Sequence, residues 1–461
     1  MPERRDSHSE APRRPSSGLS LLGVVAGVTG AAAAVAAAGA AAGALMARRV
    51  VTPPRHAEED VNVLAVWADA DGLLVTLRAT PDSRLAGTPG VYSLWFDHGR
   101  GHAVIGEVVD HTWNSVTRRV LRVDQGTLDG SVRRARVGGW VWLDPASAGF
   151  AFEEVTVDAP LGPCPAWLVR PDQGPGAGEP LTFAAAPAEA APAGSTSPAP
   201  LDAEDAAGPD AAPEPPATAA REATGPEAAS GVWCIHAHGR ASARPEVLRG
   251  LFAMRTLGVT SLIISYRNDG EAPSSDDSRY ALGATEWEDV EAAIEFALAH
   301  GARRVLLFGW SMGGAIVLQA QSRTRHPRAI AGVLLDSPVV DWGDVLAYQA
   351  DARSLPAPVR DFAKTLLGRR WGAGATGLEE PIDLAELNWV ARAGELRRPL
   401  LVLHSDDDGF VPSGPSRELA AARPDLVTFV PFRTARHTKL WNHDRRRWES
   451  SVIDWVRDRL G

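Results

Sequence analysis

The stretch that most constrains this 461-residue chain is residues 305–316, VLLFGWSMGGAI. An apolar run suited to a buried strand passes directly into a Gly-Trp-Ser-Met-Gly-Gly turn and then into helix-forming residues. Gly309 and Gly313 stand two positions either side of Ser311, the G-x-S-x-G spacing. That spacing has a steric origin. A strand that bends abruptly into a helix crowds backbone around the turn, and glycine alone lacks the Cβ that would collide. The bend holds the serine hydroxyl above the sheet, at a helix N-terminus whose free N–H groups favour developing negative charge. A five-residue pattern also arises by chance, so its meaning depends on the rest of the chain.

From residue 232 onward, strand-like runs are expected at 232–236, 261–265, 303–308, 331–335, 399–403 and 426–432, with helical segments between them. The clearest helix is 286–300, where Trp287, Val290, Ile294, Ala297 and Leu298 share one face and Gly301 supplies the stop. Such alternation predicts an α/β fold, a doubly wound and mostly parallel sheet with helices on both faces. Sheets of this kind place their sites at the carboxyl ends of strands.

Every polar cluster of note falls at one of those ends. After 232–236 comes His236-Ala237-His238-Gly239-Arg240, a turn able to offer a backbone N–H to an oxyanion. The expected donors are the N–H groups of Arg240 and Met312, with His236 and His238 shaping the loop. After 399–403 comes an acid-rich loop in which Asp408 has the Asp-x-x-Val-Pro register; Asp406 and Asp407 read as turn formers, and Asp336 is the rival acid. After 426–432, His437 can reach over the serine as general base, whereas His443 falls in the following helix. Asn268 and Asp269, after 261–265, are candidates for the pocket mouth or for a side-chain-bonded loop before Pro273.

The order Ser311, Asp408, His437 resembles that of the α/β-hydrolase superfamily. More narrowly, Ser265-Tyr266-Arg267-Asn268-Asp269, Thr285-Glu286-Trp287, the Ser311 turn and Leu335-Asp336-Ser337-Pro338 resemble actinobacterial, membrane-anchored hydrolases of the Bem46-like and serine-aminopeptidase-like branches. The resemblance covers residues 161–461 and implies hydrolysis of an ester, thioester or amide without a cofactor or metal. The alternatives are an acyltransferase with the same intermediate, a serine peptidase, and a scaffold that kept the fold without the chemistry. Residues 341–395 interrupt the alternation with Trp342, Tyr348, Phe362, Trp371 and Trp389 and are expected to form a helical cap. Apolar cap residues suit a small-molecule or acyl substrate, and core packing would employ them equally well.

The remaining segments have different characters. Residues 1–17 are polar and Pro/Ser-rich, which predicts disorder; residues 18–47 carry no charge and are long enough for a transmembrane anchor. A cleaved signal with an Ala-x-Ala site is the alternative. Four arginines precede this span and three follow it closely, which weakly favours an extracytoplasmic catalytic domain. Residues 58–160 hold short β-rich runs at 73–77, 92–96, 103–106 and 140–143, separated by turns. They read as a small all-β region in which His98, His102 and His111 are surface residues. Residues 171–230 contain twelve prolines, ten acids and one base. Such a segment cannot bury enough apolar surface to offset its chain entropy, so disorder is expected. Lying between two strand-like runs, at 166–169 and 232–236, it reads as an overgrown hairpin loop. It also carries −9 of the formal charge of −10, leaving the rest near neutral with no basic surface for nucleic acid. Cys164 and Cys234 imply no disulfide framework, and Cys234 reads as a buried apolar filler.

Overall fold

A long apolar helix leads into a closed β-barrel, which is followed by an eight-stranded sheet. The structure, a computed structural model, describes residues 21–54, 58–79, 87–171 and 231–460, with side chains from Ala34 onward. The segments read as disordered, 1–17 and all but the first residue of 171–230, lie outside the described residues.

Helix α1 (Leu21–Val51) runs past the expected end at 47 and carries Arg48 and Arg49 in its last turn, where cations suit the helix dipole. Its segment Ala34–Val51 is long and apolar enough to cross a membrane, a property that a signal sequence shares. Its end is not free, however: Ala47 and Val51 are buried in the core of the following domain.

The barrel comprises β1 (Val61–Asp69), β2 (Gly72–Arg78), β3 (Tyr92–Phe96), β4 (Gly101–His111), β5 (Ser115–Gln125) and β6 (Arg134–Gly138), closed in the order β1-β2-β5-β4-β3-β6. All its pairings are antiparallel, and Val61 opposite Ala135 completes the ring. Alternate residues such as Val75, Leu77, Tyr92, Leu94 and Ile105 fill the interior. Two expectations fail here. Residues 140–143 are not a strand but a loop leaving the barrel, and they bury Val141 and Trp142 against the next domain, Trp142 meeting Phe252 and Trp441. His102 is not a surface residue: it is fully buried, bonded through Nδ1 to Asp124 and through Nε2 to the Trp140 carbonyl. His98 and His111 are exposed, and the three are not gathered into one site among the described residues.

The sheet holds β7 (Glu153–Ala159), β8 (Gly162–Val169), β9 (Val232–Ala237), β10 (Thr260–Ile264), β11 (Arg304–Trp310), β12 (Ile330–Asp336), β13 (Leu400–Ser405) and β14 (Val427–Phe432). Its order is β14-β13-β12-β11-β9-β10-β8-β7, with the last six strands of the chain parallel and β7 and β8 antiparallel to their neighbours. β7 belongs to this sheet, so the β-rich region ends before 153 rather than at 160. β8 and β9, expected to pair as a hairpin, do not adjoin, because β10 lies between them. A run of apolar residues states that a strand is buried, not which strand it adjoins.

The helices are α2 (Gly250–Thr256), α3 (Trp287–Ala299), α4 (Met312–Arg323), α5 (Trp342–Asp351), α6 (Ala357–Leu367), α7 (Ala373–Thr376), α8 (Gly414–Ala422), α9 (Leu440–His443) and α10 (Arg445–Leu460). Val290 and Ile294 of α3 pack with one face of the sheet and Trp448 and Val452 of α10 with the other, giving two apolar layers around a parallel core. Cys164 and Cys234 are buried and free.

Candidate active site

Ser311 closes the turn from β11 into α4 at φ 53° and ψ −117°, a backbone state that costs a non-glycine residue about 1–3 kcal/mol. Its neighbours hold it there. The Ser311 N–H donates to the Asp336 carbonyl at 3.0 Å, and its carbonyl accepts from Gly314 at 2.9 Å and Val339 at 3.0 Å. A Cβ on Gly309 would strike the Gly313 carbonyl, and one on Gly313 would strike the Ala237 carbonyl at the end of β9. Both glycines of the pattern are therefore required by close backbone approach.

Across the sheet ends, Ser311 Oγ lies 2.9 Å from His437 Nε2, and His437 Nδ1 lies 2.8 Å from Asp408 Oδ2. An ionised carboxylate can only accept, so Nδ1 carries the proton and Nε2 is left to accept from the hydroxyl. Asp408 Oδ1 also accepts from the N–H groups of Phe410 at 3.0 Å and Val411 at 2.6 Å. Burial pushes the Asp408 carboxyl up, but electrostatic attraction and hydrogen bonding from the facing imidazoles of His437 and His404 outweigh it and hold the acid well below the usual range. The ring of Phe410 lies 5.2 Å from that of His437.

The other candidates are occupied elsewhere. Asp336 is buried and accepts from Trp448 Nε1 at 2.7 Å and Ser337 Oγ at 2.9 Å; burial raises its pKa. Asp406 pairs with Arg417 and Asp407 with Arg436. His443 ends α9 and bonds to Thr434. Asn268 and Asp269 form the side-chain-bonded loop rather than lining the crevice between α1 and α5. Asn268 bonds to Ser275 and the Arg279 carbonyl, while Asp269 accepts from Tyr266, Glu271, Ala272 and His238.

The loop after β9 uses its histidines as structure. His236 stacks on Trp310 and bonds Ser261 at 3.1 Å; burial pushes its pKa down to about 3. His238 stacks on Tyr266 and pairs with Asp269 at 3.2 Å; burial works against its charged form, yet the pair leaves its pKa raised. The Gly239 N–H donates to Glu246 at 2.7 Å and the Ala241 N–H to the Tyr280 hydroxyl at 3.4 Å, with Arg240 between them. The side chain of Arg240 turns to α1, donating to the carbonyls of Arg49, Val50 and Thr52.

Several supporting groups escape sequence reasoning. Ser337 Oγ accepts from the Thr438 N–H at 3.1 Å and so fixes the backbone beside His437; Lys439 Nζ donates to the His437 carbonyl at 2.8 Å, and burial pushes that amine down to about 8. Glu246 and His404 sit in ordinary-looking segments, and nothing local marks them as partners of residues so distant in sequence.

Residues 229–459, half of the chain, match the model described as the Alpha/beta hydrolase family, and the chain belongs to that family. Residues 62–138 match a model described as a Domain of unknown function (DUF8805). No curated protein matches the chain in sequence. Among solved structures the chain is similar to the esterase Pf2001 of Pyrococcus furiosus, at 14% identity and a TM-score of 0.44, over 69% of this chain and 95% of that one. It is also similar to XC6422 of Xanthomonas campestris, described as an a/b serine hydrolase without lid, at 16% identity and 0.37 over 67% and 94%. A puromycin-hydrolyzing peptidase of Mycobacterium tuberculosis is similar at 16% identity and 0.42 over 86% and 52%. These likenesses are remote.

Proposed function

We propose that this protein is a serine hydrolase that cleaves an ester, thioester or amide through an acyl-enzyme. The observation that carries the reading is the unbroken hydrogen-bonded line from Ser311 Oγ through both ring nitrogens of His437 to Asp408. In the first half-reaction Ser311 Oγ bonds to the acyl carbon and its proton passes to His437 Nε2. The carbonyl pair moves onto oxygen, then returns as the bond to the leaving group breaks, and His437 gives the proton to the departing atom. Water repeats the sequence on the acyl-serine, releasing the acid and restoring the hydroxyl. Asp408 stays ionised throughout and holds the tautomer.

The oxyanion falls to the backbone N–H groups of Arg240 and Met312. The N–H groups on either side of Arg240 are engaged by Glu246 and Tyr280, and Met312 opens α4, where a backbone N–H has no intrahelical acceptor. Each such donor is worth about 10²–10³ in rate. We read α1 as a retained membrane anchor, because its end is built into the core and gripped by Arg240. The arginine distribution around it favours an extracytoplasmic domain.

The test is labelling of the full-length chain by a fluorophosphonate, with turnover of p-nitrophenyl esters and aminoacyl amides measured alongside. Ser311→Ala is expected to abolish labelling and lower turnover by about 10⁶-fold. Labelling that survives the substitution sinks the assignment.

A further inference from the structure

Between α1 and α5, reaching Phe410 next to His437, lies a mostly apolar crevice of about 370 Å³, within the range of roughly 300–1,000 Å³ typical of small-molecule pockets. Ala42, Leu45 and Met46 of α1 form one wall, Trp342 and Leu346 of the cap helix α5 another, and Phe410 one end. Two lining residues tie it to the proposed chemistry. Phe410 lies against His437, and Arg240, whose backbone is the proposed oxyanion donor, reaches into the lining with its side chain. A chain lying here runs along α1 and ends at Phe410, one side chain away from His437.

The geometry of α1 says where such a chain comes from. Its 31 residues span about 46 Å at 1.5 Å per residue, whereas a bilayer core takes about 20 residues. Although Ala34–Val51 is apolar enough to span, Ala47 and Val51 are buried in the domain core, so the bilayer is assigned the first twenty residues and the last eleven, which include those that wall the crevice, emerge. Close contact with the cap begins at the same level: Gly39 faces Val359, and Gly43 leaves no room for a Cβ beside Phe362. Next to Phe362 stands Trp371, which is 63% exposed, and Leu45 is 69% exposed at the crevice wall. Exposed tryptophan at this level suits a membrane–water interface. Arg240, clamped to the carbonyls of Val50 at 2.6 Å and Thr52 at 2.9 Å, keeps the mouth at a fixed distance from the helix end.

We propose that the α1–cap crevice takes the acyl chain of a long-chain ester drawn from the bilayer surface and delivers its carbonyl to Ser311. The substrate class is thus a membrane amphiphile, with the anchor helix forming part of the binding site. This rests on the serine-hydrolase reading, so the experiment separates the two.

Full-length protein is reconstituted in phosphatidylcholine vesicles and assayed on p-nitrophenyl acetate, on monomeric p-nitrophenyl octanoate in solution, and on p-nitrophenyl palmitate held in the same bilayer. Met46→Trp fills the crevice and Leu45→Glu places a charge on its wall. Each is expected to lower kcat/KM for octanoate and palmitate by about tenfold or more, the scale of losing one or two methylene contacts. Acetate turnover and fluorophosphonate labelling should stay unchanged, which also reports that the variants fold. Equal losses on acetate and palmitate, or no loss on either, would overturn the crevice. Octanoate consumed while palmitate in the bilayer is untouched would overturn delivery from the membrane. Wild-type protein that resists the fluorophosphonate would remove the serine-hydrolase reading instead.

Discussion

Around Ser311, His238, Asp269, Glu246 and Asp408 are taken up by hydrogen bonds among the sheet ends and form a floor; the roof is α1 packed on α6 and α7, with Ala47, Val51, Leu346 and Phe362 in one apolar cluster. The floor is polar and desolvated, and the roof is apolar with Arg240 as its polar clasp. The two respond differently to change. A buried polar group loses its partner when it moves, so one geometry of the floor is strongly preferred. An apolar contact is non-directional and tolerates sliding. On the proposed function, the floor would specify which bond reacts and the roof which molecule reaches it.

The sharpest way to break that division is Asp408→Asn. An amide can no longer enforce the Nδ1–H tautomer of His437, and kcat should fall by about 10⁴-fold with KM little changed. Steady-state kinetics on a short-chain ester read this directly. A rise in KM that accounts for most of the loss would mean that the floor also binds substrate. The same carboxylate, held below its ordinary value of about 3.9, stabilises the fold above that pH and loses its contribution as pH falls further. Acid unfolding of the variant should lack that component.

Two glycines test the packing side of the comparison. In the floor, Gly313→Ala drives a Cβ into the Ala237 carbonyl, and a fold loss of about 1–3 kcal/mol is expected in denaturant unfolding. In the roof, Gly39→Ala meets Val359 Cγ2 at 3.6 Å, an ordinary contact. It should be neutral or stabilise the helix by about 0.5–1 kcal/mol. If Gly39→Ala costs as much as Gly313→Ala, the roof is as exacting as the floor.

The floor was largely legible in the sequence because its key residues announce themselves locally. Ser311 sits in a turn that needs Gly309 and Gly313, and Asp408 and His437 each follow a recognisable strand. The partners of those residues were not legible. His404, Glu246 and Ser337 act across folded distance, and a lone polar residue on an apolar strand carries no sign of what it will face. The roof was hidden for a different reason. An alanine-rich stretch states that a helix will form and that it is apolar, yet bilayer and protein core present nearly the same environment to it. The barrel shows the same limit: alternation marks its strands, but closure of β6 onto β1 depends on register between residues more than seventy positions apart.

The subtlest contrast, one of sign rather than size, separates two histidines within the floor itself. His236 lies in β9 and His238 just beyond its end, and both are fully buried. Burial pushes His236 down to about 3, whereas Asp269 overcomes burial to leave His238 raised. As pH falls below about 6.5 the unfolded chain protonates His236 while the folded one does not, so its stabilising contribution is lost between 6.5 and about 3. His238 works the other way: its contribution is complete below about 6.5 and is lost as pH rises through its raised folded value. Unfolding free energies measured from pH 4 to 8 should therefore converge between wild type and His236→Gln towards acid, by up to about 1.4 kcal/mol per pH unit. Wild type and His238→Gln should instead converge towards base. Parallel curves for His236→Gln would mean that the ring is charged in the fold, and that the floor beside Trp310 admits water.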